Sequence, residues 1–155
     1  MGTYYRRFDS LGVPDTTRVV AKPVGIPSGI VVSSLAFYVR PVADPRDATA
    51  IRKWRRMAAG YESAILQVSR GPASQDEPPN AGPPNGWPFL GEAIIDPWYG
   101  GGYQGWQPLG GMSWWNYNAG EPSSFVDADQ YWWNLWVTKG LYGISLRTCV
   151  EWWIS

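Results

Sequence analysis

The chain has 155 residues, 45% of them apolar, with 18 Gly, 14 Pro, 11 Trp, one Cys and no His, and its 13 Lys plus Arg balance 13 Asp plus Glu. That length and composition suit a single globular domain. The missing His excludes histidine triads, zinc hydrolases and haem sites with an axial histidine, while the lone Cys149 excludes an intrachain disulfide framework.

Residues 1–29 carry Pro14, Pro23 and Pro27 among scattered apolar side chains, which predicts an extended N-terminal arm with one short strand at 17–21. From 29 to 40 the chain alternates Val31, Ser33, Leu35, Phe37 and Val39 with Ile30, Val32, Ser34, Ala36 and Tyr38, the pattern of a strand covered on both faces. Asp44-Pro45-Arg46-Asp47 then offers an N-cap, a proline at the first helical position and an acid in the first turn. With Gly60 as a stop, a helix is predicted over about 45–59. Ile51, Trp54 and Ala58 form its apolar stripe, and Arg52, Lys53, Arg55 and Arg56 crowd its later turns near the negative end of the dipole. Residues 64–69 follow as a strand.

Five prolines, Pro72, Pro78, Pro79, Pro83 and Pro84, make 71–88 a stiff polar loop, and 88–124 is predicted irregular, punctuated by glycines rather than by periodic apolar positions. Tyr131, Trp133, Leu135 and Val137 share one face of a strand, and Lys139-Gly140 turns. Tyr142, Ile144, Leu146, Val150, Trp152 and Ile154 then point inward against Ser145, Arg147 and Glu151 outward, which predicts a closing hairpin. The expected fold is mainly β, a β-sandwich or jelly-roll-like single domain over 30–155 with one short α-helix and long Gly/Pro/Trp-rich loops.

Gly100-Gly101-Gly102-Tyr103-Gln104-Gly105 matches G-x-G-x-x-G by letter. A dinucleotide site needs a strand before that motif and a helix after it, and neither flank provides one. More informative is the run in which Trp98, Tyr99, Tyr103, Trp106, Trp114 and Trp115 interleave with Asp96, Asn116 and Asn118. Flat rings beside short polar groups suit a protein partner or a sugar; rings that merely pin a long loop to a sheet are the plain alternative.

Net neutrality hides a division of charge. Residues 1–70 hold eleven Lys/Arg against five Asp/Glu, and residues 71–155 hold two against eight. Arg6, Arg7, Arg52, Lys53, Arg55 and Arg56 are therefore a candidate charged interface, able to meet the acidic part of another copy, with a solvated helix face as the alternative. Asp127 and Asp129 are the closest carboxylate pair, but they follow Pro122-Ser123-Ser124 in a predicted turn. No catalytic residue, metal site or cofactor is predicted.

These features together suggest a non-enzymatic structural protein of a larger assembly, a virion or phage component of the capsid-decoration, head-fibre or tail-attachment kind. Its expected partners are other protein subunits, in a homo-oligomer or a hetero-assembly. A carbohydrate-binding, lectin-like module is the first alternative and a glycosidase-like enzyme the second. Nucleic acid is not an expected partner, and no apolar run approaches the ~18 residues of a membrane span. No apolar signal core follows Arg6-Arg7, so a virion protein made without a signal peptide is expected.

Overall fold

Eight strands pair into two antiparallel four-stranded sheets, which the computed structural model describes over residues 3–22, 32–70, 89–99, 105–109 and 131–154. In chain order the elements are β1 (Thr3–Gly12), β2 (Arg18–Ala21), β3 (Val32–Val42), α1 (Ala48–Ala58), β4 (Ala64–Arg70), β5 (Phe89–Ile94), β6 (Gln107–Pro108), β7 (Tyr131–Val137), a 3-10 turn (Lys139–Leu141) and β8 (Ser145–Ile154).

The strand orders are β1-β8-β3-β6 and β2-β7-β4-β5. One pairing rule underlies both. The first strand pairs with the last and each next strand with the next from the end: β1 with β8, β2 with β7, β3 with β6, β4 with β5. The eight strands are thus the rungs of one long antiparallel hairpin, and winding it up sets β3 beside β8, with Phe37 opposite Val150, and β4 beside β7, with Leu66 opposite Leu135.

The inner faces share one core. Leu35, Phe37 and Val39 on β3 and Leu146, Val150 and Trp152 on β8 supply one side; Leu66, Val68, Tyr131, Trp133 and Leu135 supply the other. Phe37 meets Trp133 edge-on at 5.1 Å across the gap, a geometry that suits the ring quadrupoles. Full burial of such a ring contributes roughly 1.5–3 kcal/mol. Against this, Trp133 and Trp152 bury indole N–H groups that find no acceptor among the described residues, at a cost of about 1–3 kcal/mol each.

The alternation predicted for β3, β7 and β8 is present: Leu35, Phe37, Val39, Tyr131, Trp133, Leu135, Leu146, Val150 and Trp152 are all buried. The outer face of β3 is only partly covered, with Tyr38 half-buried and Arg40 exposed. The helix begins later than predicted. Asp47 is the N-cap, accepting from the Thr49 and Ala50 amides at 3.0 and 3.1 Å, whereas Asp44 closes the turn before it by accepting from the Arg46 amide at 2.9 Å. Met57, not Ala58, joins Trp54 in the core, because its longer side chain lies one turn on along the same face. Gly60, at φ +84°, ends the helix as predicted, with its amide on the Met57 carbonyl and the Tyr61 amide on that of Arg56.

Three further expectations need correction. Thr3–Gly12 is extended, but it is an integral edge strand that pairs with β8 over its whole length, and Leu11 is buried. Strands β7 and β8 are not a hairpin; they belong to different sheets, because the intervening residues use the 3-10 turn and Gly143 at φ +90° to cross the core edge, burying Leu141 and Ile144 on the way. Residues 89–94 and 107–108, predicted irregular, form β5 on β4 and β6 on β3. The proline-rich 71–88 segment lies outside the described residues.

Candidate functional site

Asp96-Pro97-Trp98-Tyr99 has the composition of a tight turn, with Asp at its first position and Pro at its second. The Tyr99 amide donates to the Asp96 carbonyl at 3.2 Å and the Trp98 amide to the Asp96 carboxylate at 2.9 Å. Gln107 locks the turn to β6: its Nε2 donates to the Ile94 carbonyl at 2.6 Å and its Oε1 accepts from the Asp96 amide at 3.1 Å. The result is a tryptophan held out in water on a well-braced turn. Trp98 is 64% exposed, with Ile94 at 66% nearby in the chain and Val42 also exposed.

Asp96, Trp98 and Tyr99 are therefore brought together, although Asp96 acts first as a turn former. Trp106 lies elsewhere, half-buried with its ring 5.5 Å from Phe8. Tyr103, Trp114, Trp115, Asn116 and Asn118 lie outside the described residues, as do Asp127 and Asp129.

The outer face of the β1-β8-β3 sheet carries a second constellation, of which only Arg6 and Trp106 were candidates. Register sets Phe8, Cys149 and Tyr38 in one row across the sheet, Arg6, Glu151 and Ala36 in the next, and Ser10, Arg147 and Arg40 in a third. Phe8 takes a guanidinium from each side, Arg6 at 5.2 Å and Arg147 at 4.9 Å, each such contact being worth about 0.5–1 kcal/mol at an exposed site. Between Phe8 and Tyr38, Cys149 is only 3% exposed, and burial, followed by the Glu151 charge, pushes its thiol up to about 12. Tyr4 and Tyr38 both donate to Glu151. Burial and then this bond push Tyr4 up to about 12, while burial and then the Glu151 charge raise Tyr38.

The predicted charged interface divides between elements. Arg6 and Arg7 lie on β1. On α1, Arg52 and Arg55 are exposed, Arg56 pairs with Glu62 at 3.2 Å, and Lys53 turns inward to donate to the Tyr142 carbonyl.

On the other sheet, the face turned away from the core holds a buried polar ladder: Arg18 donates to Asn134 at 3.0 Å, and Asn134 and Trp136 both donate to Gln67. Asn134 is 3% and Gln67 7% exposed. Hydrogen bonding is what makes such burial tolerable.

No protein-family model matches the chain, and no curated protein matches it. Geometry alone therefore carries the functional argument. Among the described residues no group of three or more His, Cys, Asp or Glu could hold a metal ion, and no helix is long and apolar enough to cross a membrane. A groove of about 460 Å³ opens where β3 ends, beside the Asp96 turn, lined by Arg40, Arg147 and Tyr99 among others.

Proposed function

We propose that this chain is a non-enzymatic jelly-roll subunit of a larger assembly, a virion or phage-particle protein of the decoration, head-fibre or tail-attachment type that packs against further copies of itself. The rung-by-rung pairing supports the jelly-roll assignment, since a wound antiparallel hairpin of eight strands gives these two strand orders, and capsid and lectin domains use that architecture. The link from fold to function is one of analogy.

The observation that carries the proposal is Trp98, 64% exposed on a turn braced by Asp96 and Gln107. A rigid exposed tryptophan beside apolar neighbours loses little conformational entropy on docking and has the composition of an interface hot spot. Strands of residues 1–70 pair with strands of residues 71–155 in both sheets, so the two parts of the chain are not opposite ends of the fold; charge enters the contact through local patches such as the exposed Arg52 and Arg55 on α1. Sedimentation of the purified chain at low and high salt tests this: concentration-dependent association that weakens with salt and with Trp98→Ala supports it, and a monomer throughout opposes it. Carbohydrate binding is the second reading, favoured by the groove beside Tyr99.

A further inference from the structure

Arg40 on β3 and Arg147 on β8 stand directly opposite each other in antiparallel register on the outer face of the sheet. Like charges so placed destabilise a strand pair. Among the described residues no carboxylate lies within ion-pair reach of either one. Glu151, four positions along β8, is faced by Arg6 in the register and takes the Tyr4 and Tyr38 phenols. Among the described residues, the partner of the Arg147 guanidinium is the Phe8 ring beneath it.

Both arginines line the same groove, with Pro41, Pro97, Tyr99 and Gly105 on its other walls. At φ +81°, Gly105 turns the chain beside Arg40 without a side chain. The volume, about 460 Å³, falls in the roughly 300–1,000 Å³ range of small-molecule sites. It is more than a bare inorganic anion or one carboxylate side chain fills. Two guanidiniums supply ten N–H donors in planar forks suited to an oxyanion; a phenol ring and two prolines supply flat apolar walls suited to a sugar ring.

We propose that this groove binds an acidic monosaccharide unit, its carboxylate or sulfate between Arg40 and Arg147 and its ring against Tyr99. The site goes beyond the assembly proposal and does not depend on it. Binding would relieve the arginine repulsion, so the unliganded protein carries a strain that Arg40→Gln removes.

The test is amide-resolved NMR titration of the full chain, at constant ionic strength, with sodium glucuronate, N-acetylneuraminate and glucose 6-sulfate as probes and glucose and sodium sulfate as controls. At least one acidic sugar is expected to saturate with Kd of about 1 mM, shifting the Tyr99 and Gly105 amides, and to bind about tenfold more weakly to Arg40→Gln and to Tyr99→Ala. Arg40→Gln is expected to melt no lower than the parent chain without ligand. Arg147→Gln, which also loses the Phe8 contact, serves as a second variant. Five results would overturn the proposal: no saturation by any acidic sugar; glucose binding as tightly as the acids; sodium sulfate binding as tightly as they do; affinity unchanged in both Arg40→Gln and Tyr99→Ala; or self-association abolished by Arg40→Gln, which would assign the groove to an acidic side chain of another copy.

Discussion

Gln107 donates to the Ile94 carbonyl at 2.6 Å, and that bond ties the end of β5 to the start of β6. Because the same side chain accepts from the Asp96 amide, one carboxamide sets the attitude of the turn that displays Trp98. Gln107→Ala removes both bonds, at a net cost near 1 kcal/mol each. A loss of about 1–2 kcal/mol in urea unfolding is expected, with faster amide exchange at Asp96 and Trp98. Unchanged exchange there would show that the turn holds itself.

The tryptophans should divide by position in the fold. Trp133→Ala is expected to destabilise by about 3–5 kcal/mol, since it empties the centre of the core. Trp98→Ala, at an exposed turn, should stay within about 0.5 kcal/mol of the parent chain. Equilibrium denaturation of the two variants is the comparison.

Cys149 is the only thiol, so its reactivity reads one site. With burial raising its pKa to about 12 and 3% of its surface exposed, almost no thiolate is present at pH 8. A disulfide reagent should titrate one equivalent only after denaturant is added. Phe8→Ala thins the cover over the same sheet row and should speed the native reaction while leaving the fold intact.

Glu62 accepts from the Thr138 hydroxyl and from Arg56, and these, in that order, lower its pKa below the ordinary glutamate value of 4.5. A depressed carboxylate contributes stability that is complete above its unfolded pKa and is lost as pH falls through its folded one. The melting temperature should therefore fall as pH drops below 4.5, and Glu62→Gln should flatten that part of the profile. An identical profile in the variant would remove Glu62 from the acid transition.

A chain lacking residues 1–12 should lose its cooperative melt. Strand β1 is the sole described neighbour on one side of β8 and places Leu11 in the core. A melt like that of the parent chain would mean that this strand is dispensable to the fold.

Much of the sheet was legible because β7 and β8 set large apolar side chains in a row on one face, and β3 is rich in β-branched and aromatic residues on both. Three strands were not, among them β6, whose two residues are too few to carry a pattern. In β1 the alternate positions Tyr5, Arg7, Asp9 and Leu11 mix apolar with charged residues, and in β5 Gly91 and Glu92 interrupt the pattern, as edge strands tolerate. The β7–β8 hairpin failed for a different reason: the partners of β8 are β1 and β3, from the first part of the chain, and adjacency in sequence says nothing of that. The site divides in the same way. Asp96, Trp98 and Tyr99 share a turn with a local signature, whereas Phe8, Arg40, Gly105 and Arg147 converge from four separate segments that only the winding of the strands brings together.

Under the proposed function the chain is a repeated subunit that docks through the Trp98 turn. Sedimentation velocity over a concentration series, for the parent chain and Trp98→Ala at low and high salt, tests it most directly. The parent chain is expected to associate as concentration rises, less so in high salt, and Trp98→Ala to associate less than the parent at either salt while melting at the same temperature. A parent chain that sediments as a monomer at every concentration in low salt would contradict it.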